Sequence, residues 1–463
     1  MSTTTMALNW AGNHAYPGTL VRPTTLAEAA DVVARSPRVR AIGSRHSFND
    51  LVDSATLVSL DALAYRHPGM HRSDAPGALG DGTGTADSTG STSTPGDVST
   101  DGTPTTETTE PELDPATGRV RVPAATRYAD LVRFLEDRGR TLPNLASLPH
   151  IGLAGTLATA THGSGIRNPV LGAAATRLEL IAGDGSPHAI DREADPEVFD
   201  GAVVSLGALG VVTAVTLQSV PAFDVAQTAY GPVPFDDVVD GFAEVSALAY
   251  SVSCFTTFRT RDFTVWLKQA ADRGVPVSAP ERVLGAPALE TKVHPLPGVD
   301  PENCTDQLGL PGPAGDRLPH FRADHLPSAG AEIQSEYLIP RANARAALRA
   351  LDRLAPALVD VVQVCEVRTV AADRFWLSPM FARDCLGIHF TFVRDAAAVD
   401  AVLPLLEDAF GPLDGVPHWG KVFRADPVRL RARYPRRADF VDLARSYDPD
   451  GKFTNDFLRR WVL

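Results

Sequence analysis

The stretch from Ser147 to Gly165 restricts the possible folds of this chain more than any other part of its sequence. It reads SLPHIGLAGTLATATHGSG, in which Gly, Ala, Ser and Thr predominate. Such small side chains bury too little apolar area to form a conventional core. They are typical either of a tightly packed Gly/Ala helix contact or of a place where backbone lies against a flat ligand.

A second glycine-bearing turn, Gly43–Asn49 with the sequence GSRHSFN, follows a predicted strand at Val39–Gly43. Its small residues let backbone N–H groups approach a phosphate closely, and Ser44 and Ser47 add hydroxyl donors. The turn does not match GxGxxG and no helix clearly follows it. The sequence therefore gives little support to a nucleotide bound on a Rossmann fold.

Length and composition exclude several classes of protein. A chain of 463 residues predicts two or three domains, and its net charge of −13 argues against nucleic acid or an anionic membrane as partner. No run approaches the roughly 18 apolar residues of a spanning helix, and the N-terminus lacks the layout of a signal peptide. Four cysteines without a CxxC pair indicate neither a zinc site nor a disulfide framework. We expect no metal and a reducing, cytoplasmic location.

Much of the negative charge lies in one segment. Residues 73–114 are almost entirely Gly, Ser, Thr, Pro, Asp and Glu, with no Lys or Arg. Such a composition cannot bury enough apolar area to offset chain entropy, which predicts a disordered insert between two strands. A solubilising insert and an acidic interaction segment are the two interpretations, and the first is preferred.

The rest of the sequence predicts an α+β fold whose two halves differ in the length and spacing of their strands. The first half has short strands separated by helices and Gly-rich turns, whereas long strands with period-2 alternation begin near Phe223. We predict a first domain over residues 1–222, an antiparallel sheet with helices on one face over 223–430, and a C-terminal return to the first domain over 431–463. Predicted helices run over 26–36, 128–137, 342–354 and 397–410, and predicted strands over 119–123, 177–182, 210–217, 332–339, 363–370 and 386–393.

Polar residues on the long strands are candidates for a binding site. Glu366 and Arg368 are two apart, so they project from the same face, either as a surface ion pair or as a pair in a half-buried cleft. His389 is predicted to face the side of its strand opposite to Ile388, Phe390 and Phe392. A purely structural histidine is the alternative to a binding role. Lys421 lies between apolar residues, an expensive position for an ammonium without a function.

These residues resemble a known family. GSRHSFND, SLPHIGLAGTLATATHGSG, SLGALGVVTAVTL, HWGKVF and GKFTNDF are similar to motifs of the vanillyl-alcohol-oxidase-type FAD-linked oxidases, and within them to the alditol and xylitol oxidases. The resemblance covers nearly the whole chain except the insert. It implies a two-domain FAD-binding fold with an antiparallel-sheet substrate domain over the flavin.

The resemblance also implies the cofactor contacts. His46 is expected to be joined covalently to the 8α-methyl carbon of the flavin, a bond that a neutral imidazole can form near neutral pH; a turn histidine bonded to backbone is the alternative. Arg45 stands where close relatives often have glycine, and Gly152 where they commonly have serine. The other expected FAD contacts are Ile42, Gly43, Ser44, Arg45, Ser47, Phe48, Ser147, Gly152, Gly155, Thr156, Thr159, His162, Val203 and Gly210.

By the same resemblance, Ser147, Glu366, Arg368, His389 and Lys421 bind an open-chain polyol. Lys421, Arg368 and His389 are the expected catalytic residues, which polarise the reacting hydroxyl and help remove its proton. The implied reaction oxidises a terminal primary alcohol to an aldehyde and reduces O2 to hydrogen peroxide, in a monomeric protein. The alternatives are an aldonolactone oxidase or dehydrogenase on the same fold, and a flavin-binding protein without turnover.

The covalent bond predicts a simple outcome. The purified protein should be yellow, and the denatured chain should exceed the mass of its sequence by one FAD, because the cofactor is tethered. Mass spectrometry of the denatured protein measures this difference. A colourless pellet and a yellow supernatant after acid precipitation would contradict the tether.

Overall fold

The computed structural model describes residues 8–70, 109–325 and 332–463. Three sheets carry the fold: a three-stranded parallel sheet, a five-stranded antiparallel sheet and an eight-stranded antiparallel sheet. In this part of the chain, no helix is both long and apolar enough to cross a bilayer. Most of the predicted insert 73–114 lies outside the described residues.

The parallel sheet forms around strand Thr56–Val58, which pairs with Thr19–Val21 on one side and Val39–Ala41 on the other. Helix Leu26–Arg35 precedes strand Val39–Ala41 in the sequence, and Thr25 is its N-cap residue. The Thr25 hydroxyl accepts the N–H of Glu28 at 3.1 Å, as the sequence predicts. The Glu28 carboxylate reaches back one residue further than a standard capping box, to Thr24.

The five-stranded sheet corrects the predicted end of the insert. Glu112 and Leu113 pair with Arg121 and Val120, and Leu113 packs against the main hydrophobic core. Backbone pairing and apolar contact offset the entropy cost of ordering these residues, so the prediction of disorder as far as Asp114 is wrong. In sheet order the strands are Glu112–Leu113, Arg119–Pro123, Val211–Gln218, Ala175–Ile181 and Pro187–Asp191.

Three helices pack with this sheet in the main core. They bury apolar residues at helical spacing, such as Leu131 and Leu135. The helices are Tyr128–Glu136, Leu153–Ala158 and Pro196–Val203. Two short antiparallel pairs complete the connections: Arg140–Thr141 with Val220–Pro221, and Arg282–Val283 with Ala286–Pro287.

The eight-stranded sheet has two unlike faces. Side chains such as Ile388, Phe390 and Phe392 pack under helices Phe235–Ala247, Ala344–Leu358 and Ala396–Phe410 in a second apolar core. Because strand residues alternate, the intervening polar residues face the other way. In sheet order the strands are Pro311–Pro313, Phe223–Pro234, Asp262–Asp272, Ser251–Thr256, Val362–Val370, Cys385–Val393, Glu332–Pro340 and Val416–Pro417.

The C-terminal helices contact the N-terminal segment. Asn455 donates its side-chain N–H to the carbonyl of Leu51 at 2.9 Å, and the buried Arg40 donates to the carbonyl of Phe453 at 2.9 Å. The main core contains residues of all three predicted ranges, so the division at 222 and 430 stays a prediction. The helices are Pro427–Ala432, Arg437–Tyr447 and Asp456–Trp461.

Two leucines of helix Ala396–Phe410 test how the second core stabilises the fold. Leu403 is 1% exposed and Leu405 is 41% exposed. Leu403→Ala should lower the free energy of unfolding by roughly 2–5 kcal/mol, because it leaves a cavity under the sheet. Leu405→Ala, the matched control, should change it by about 0.5 kcal/mol or less. Chemical unfolding of the flavin-loaded protein measures both, and equal losses would contradict the packing.

Candidate active site

A cavity of about 310 Å³ lies between the polar face of the eight-stranded sheet and the two glycine-bearing segments. All but one of the sequence-predicted site residues line it. Val203 does not: it is buried in the main core, where it packs against Gly172. The lining residues among those predicted are Ile42, Gly43, Ser44, Arg45, His46, Ser47, Phe48, Ser147, Gly152, Gly155, Thr156, Thr159, His162, Gly210, Glu366, Arg368, His389 and Lys421.

One side of the cavity is built from main chain, and we call residues 43–48 and 152–159 the backbone wall. The two segments are joined where the N–H of Gly152 donates to the hydroxyl of Ser44 at 3.0 Å. A Cβ at Gly43 or Gly155 would meet no atom within 4 Å, so both glycines face open space. Leu153 and Leu157 point away into the main core. The helix at Leu153–Ala158 therefore packs through its leucines and presents its small residues to the cavity.

Arg45 occupies a backbone conformation that favours glycine. Its φ is +62°, in the left-handed region, which costs a non-glycine residue roughly 1–2 kcal/mol. The carbonyl of Arg45 accepts the N–H of Trp10 at 2.9 Å, and its guanidinium donates to the carbonyl of Leu8 at 3.3 Å. These contacts hold the arginine in a conformation that glycine adopts without strain.

His46 presents a neutral imidazole to the cavity. Burial lowers the pKa of its ring to about 3, so the ring is uncharged at neutral pH. Nδ1 lies 3.2 Å from the carbonyl oxygen of Ser44, and the ring stacks on Trp10 with centroids 5.0 Å apart and planes 18° apart. Within the described part of the chain, the buried Nε2 has no hydrogen-bond partner. The ring is thus fixed in orientation and keeps an unused buried nitrogen.

The opposite side of the cavity carries the charged side chains. We call Glu336, Glu366, Arg368, His389 and Lys421 the polar wall. Glu366, His389 and Glu336 lie directly opposite one another on three adjacent strands, because the strand register pairs Glu366 with His389 and His389 with Glu336. Sheet register thus brings together residues that are far apart in the sequence.

Arg368 joins the two glutamates of the polar wall to each other and to Ser147. Its Nη2 donates to Oε1 of Glu336 at 2.9 Å, and its Nη1 lies 3.5 Å from Oε2 of Glu366. Nη1 also donates to the hydroxyl of Ser147 at 3.2 Å. Arg368 is 7% exposed and Glu366 is 5% exposed, which excludes the surface ion pair.

Charge states in the polar wall follow from these contacts. Burial alone would raise the pKa of Glu336 and of Glu366, but the Arg368 guanidinium and neighbouring histidines outweigh it and hold each pKa below its usual value. Burial lowers the pKa of His389, with help from Lys421, and lowers the pKa of Lys421 to about 8. At neutral pH the wall therefore holds two carboxylates, a guanidinium, an ammonium and a neutral imidazole.

Lys421 reaches the cavity from the segment after strand Val416–Pro417. Its Nζ donates to the side-chain oxygen of Gln334 and lies 5.1 Å from the ring centroid of Phe48. Its backbone carbonyl accepts the side-chain N–H of Asn49 at 2.8 Å. The turn that carries His46 is thus fixed to the segment that carries Lys421.

Sequence reasoning missed Glu336, Gln334, His320 and Trp10. Glu332, Gln334 and Glu336 occupy alternate positions of one predicted strand. That pattern could have identified Gln334 and Glu336 as part of a polar face. His320 and Trp10 lie in irregular segments, where no periodicity marks them. Nε2 of His320 donates to Oε1 of the Glu366 carboxylate at 3.0 Å, and the ring lines the cavity.

The chain matches two family models and is similar to several proteins of known function. Residues 88–191 match the FAD binding domain family, and residues 331–461 match the D-arabinono-1,4-lactone oxidase family. Alditol oxidase from Streptomyces sp. (strain IKD472 / FERM P-14339) is 45% identical over 98% of both chains. L-gulono-1,4-lactone dehydrogenase from Mycobacterium tuberculosis (strain H37Rv) is 28% identical over 98% of both chains.

Among solved structures, cholesterol oxidase from B. sterolicum has a TM-score of 0.70 at 13% identity, over 99% of this chain and 96% of that one. This likeness concerns the fold alone and confirms the predicted α+β fold of the vanillyl-alcohol-oxidase type. Fold and site define an FAD-dependent oxidoreductase. The chain belongs to the family of FAD-linked oxidases that contains the Streptomyces alditol oxidase.

The residues of the cavity fit an FAD. The open space beside Gly43 and Gly155 leaves a flat wall of backbone, against which a planar ring system can lie. The unpartnered Nε2 of His46 and the small residues 152–159 are hard to explain unless another group fills this side. The charged polar wall faces the same space from the opposite side.

Substitution of Glu336 should destabilise the protein and impair the site. Glu336→Gln keeps the shape but removes the nearer negative charge from the buried Arg368, which then has the Glu366 carboxylate at 3.5 Å as counter-charge, so the free energy of unfolding should fall by roughly 3 kcal/mol or more. Displacement of Arg368 should also lower kcat/KM at least about tenfold. Chemical unfolding and steady-state kinetics measure the two losses.

The matched control is Glu179→Gln. Glu179 also pairs with an arginine, Arg121, at 2.7 Å, but that arginine side chain is 21% exposed. Water can solvate its free guanidinium, so the expected loss is about 1 kcal/mol or less. Equal destabilisation by both variants would contradict the importance of burial at Glu336.

Proposed function

We propose that this protein is an FAD-dependent alditol oxidase. It oxidises a terminal primary alcohol of an open-chain polyol, such as xylitol or sorbitol, to the aldehyde, and O2 is reduced to hydrogen peroxide. The observation that carries the proposal is the convergence of Ser147, Glu366, Arg368, His389 and Lys421 on a single cavity. The full-length similarity to the Streptomyces alditol oxidase supports it.

His389 is the group that takes the proton of the reacting hydroxyl. Its Nδ1 lies 3.5 Å from a carboxylate oxygen of Glu336, which favours a proton on Nδ1 and a lone pair on Nε2. Nε2 lies 3.4 Å from the Thr391 hydroxyl, a contact that the substrate hydroxyl would replace. Lys421 and Arg368 stabilise the negative charge that develops on the substrate oxygen. FAD, when bound, accepts the hydride from the same carbon and delivers both electrons to O2.

Glu366 and Ser147 bind the neighbouring hydroxyls of the polyol. The Glu366 carboxylate accepts hydrogen bonds and the Ser147 hydroxyl can donate or accept. Arg368, between them, adds N–H donors with fixed geometry. A substrate that lacks one of these hydroxyls leaves buried polar groups unpaired, so it should be rejected strongly.

We also infer that FAD is covalently bound through His46. A neutral ring held by Ser44 and Trp10, with one buried nitrogen unused, has the form that this bond requires. The remaining predicted contacts along residues 42–48 and 147–162, and Gly210, position the cofactor. Measuring the mass of the denatured protein beside a His46→Ala variant, which should lack the added FAD, tests the link.

The second candidate is an aldonolactone oxidase or dehydrogenase. The match of residues 331–461 to the D-arabinono-1,4-lactone oxidase family and the full-length gulonolactone dehydrogenase relative favour it. The higher identity to the alditol oxidase favours the polyol. A flavin-binding protein without turnover is the third interpretation.

We further infer a cytoplasmic, monomeric protein. All four cysteines are buried thiols without a disulfide, which suits a reducing compartment.

Steady-state rates of peroxide release decide between these functions. Aerobic flavin-loaded protein should release peroxide with xylitol and sorbitol, at a kcat/KM higher than that with gulonolactone. Heat-inactivated protein and buffer without polyol are the controls. A preference for gulonolactone would establish the lactone reaction. A dehydrogenase would release no peroxide but would reduce an artificial electron acceptor in the presence of the lactone, and no turnover of any polyol or lactone with either acceptor would leave a flavin-binding protein.

The lowered pKa of Lys421 predicts an alkaline limit. The ammonium is lost as the pH rises through about 8, so kcat/KM should fall above this pH, about tenfold per pH unit. Lys421→Arg keeps a cation at every pH measured and should move the fall to higher pH, whereas Lys421→Gln should lower the rate throughout. An alkaline fall that is identical in wild type and Lys421→Arg would contradict this assignment.

A further inference from the structure

Behind the polar wall lies a buried lysine that does not line the cavity. Lys268, on strand Asp262–Asp272, is 1% exposed. Its Nζ donates to the carbonyl oxygens of Leu318 at 2.6 Å and Pro319 at 3.1 Å, and lies 3.1 Å from Nδ1 of His320. An ammonium has three N–H donors and no lone pair, so these three acceptors use all of its protons.

This contact fixes the tautomer of His320. Burial lowers the pKa of Lys268 to about 7, so the ammonium is its main form at pH 6.5. In that form Lys268 can only donate, so Nδ1 of His320 accepts and the single proton of the neutral ring lies on Nε2, facing the Glu366 carboxylate. Burial, and secondly Lys268, lowers the pKa of His320 to about 4, so the ring is neutral at physiological pH. Nε2 lies 3.0 Å from Oε1 of Glu366 and donates to it.

His320 has little freedom to leave this position. Phe255 and Trp266 meet its ring edge-on, each with centroids 5.5 Å away. Its backbone N–H donates to the carbonyl of Ser147 at 3.0 Å. One residue therefore holds both Glu366 of the eight-stranded sheet and Ser147 at the start of the small-residue segment.

We propose that Lys268 and His320 are positioning residues for polyol recognition. Lys268 fixes the tautomer of His320, and His320 holds Glu366 and Ser147 in the positions from which they bind the substrate hydroxyls. This inference rests on the proposed function, in which those two residues bind the substrate hydroxyls. Lys268 itself touches neither cofactor nor substrate.

The expected defect is in substrate recognition. Without the Nε2 donor, Glu366 keeps the Ser253 hydroxyl at 2.7 Å and Arg368 at 3.5 Å, so it stays ionised but can rotate. The groups that act on the reacting hydroxyl keep their own contacts: His389 and Arg368 with Glu336, and Lys421 with Gln334. KM for the polyol should therefore change more than kcat.

Two substitutions of His320 separate its two contacts. The side-chain amide of Gln reaches the position of Nε2 and can still donate to Glu366, whereas the shorter Asn reaches only the position of Nδ1 and can accept from Lys268. Lys268→Met removes the ammonium but fills its space. Lys292→Met is the matched control, because Lys292 donates to the carbonyl of Cys304 at 2.6 Å and does not line the cavity.

The kinetic test uses glycerol and 1,3-propanediol, which lacks the hydroxyl next to both terminal carbons. At pH 6.5, Lys268→Met and His320→Asn should raise KM for glycerol about 10–100-fold, as for one lost hydrogen bond to a charged group. The preference for glycerol, as a ratio of kcat/KM values, should shrink by at least about tenfold, with kcat within about threefold. His320→Gln and Lys292→Met should stay within about threefold of wild type in every constant. Unchanged KM and preference in folded, flavin-loaded Lys268→Met and His320→Asn would overturn the proposal.

A measurement without turnover separates this inference from the proposed function. In flavin-loaded protein with ¹⁵N-labelled histidine rings, the His320 signals, assigned by their loss in His320→Gln, should show the neutral Nε2–H tautomer. Lys268→Met should add a population with the proton on Nδ1. An Nδ1–H tautomer or a charged ring in the wild type would overturn the role of Lys268, whereas absence of polyol oxidation beside the expected tautomer would overturn the proposed function and the substrate role together.

Discussion

The ion pairs of Arg368 are the interaction on which the site depends. A buried guanidinium would be costly unless carboxylates neutralise it, and Glu336 does so from strand Glu332–Pro340 and Glu366 from the strand of Arg368 itself. The same guanidinium donates to the hydroxyl of Ser147, which lies outside the sheet. Because Glu336 and Ser147 lie on other segments than Arg368, these contacts form only when the strands pair in one register and the Ser147 segment docks against them.

The cavity has two walls of different chemistry, and this difference explains its composition. The backbone wall is made of small residues and N–H groups, which can approach a flat cofactor closely. The polar wall is made of long charged side chains, which bind and polarise a hydroxylated substrate. Leucines behind the first wall and the aromatic and aliphatic core behind the second keep both rigid.

Periodic patterns in the sequence predicted most of the elements. The strands at 332–339, 363–370 and 386–393 and the helices at 26–36 and 397–410 lie within one or two residues of their observed bounds, because each buries one face against a core. Residues outside regular elements were not predictable in this way. His320 and Trp10 take part through loops. Glu112 and Leu113 are ordered by pairing with the next strand, Arg119–Pro123, although the sequence around them is polar and acidic. Val203 was assigned to the cofactor by the family resemblance, yet its side chain packs in the core.

The sequence by itself determined the α+β class, the two glycine-bearing segments, the parity that puts Glu366 and Arg368 on one face, and the family resemblance. These are local properties, since propensity and alternation act over a few residues. Tertiary structure alone decided that the two segments form one wall, that Glu336 neutralises Arg368, and that Lys268 and His320 stand behind Glu366. Such pairings depend on sheet register and loop packing, which join residues separated by tens to hundreds of positions, and no local pattern specifies them.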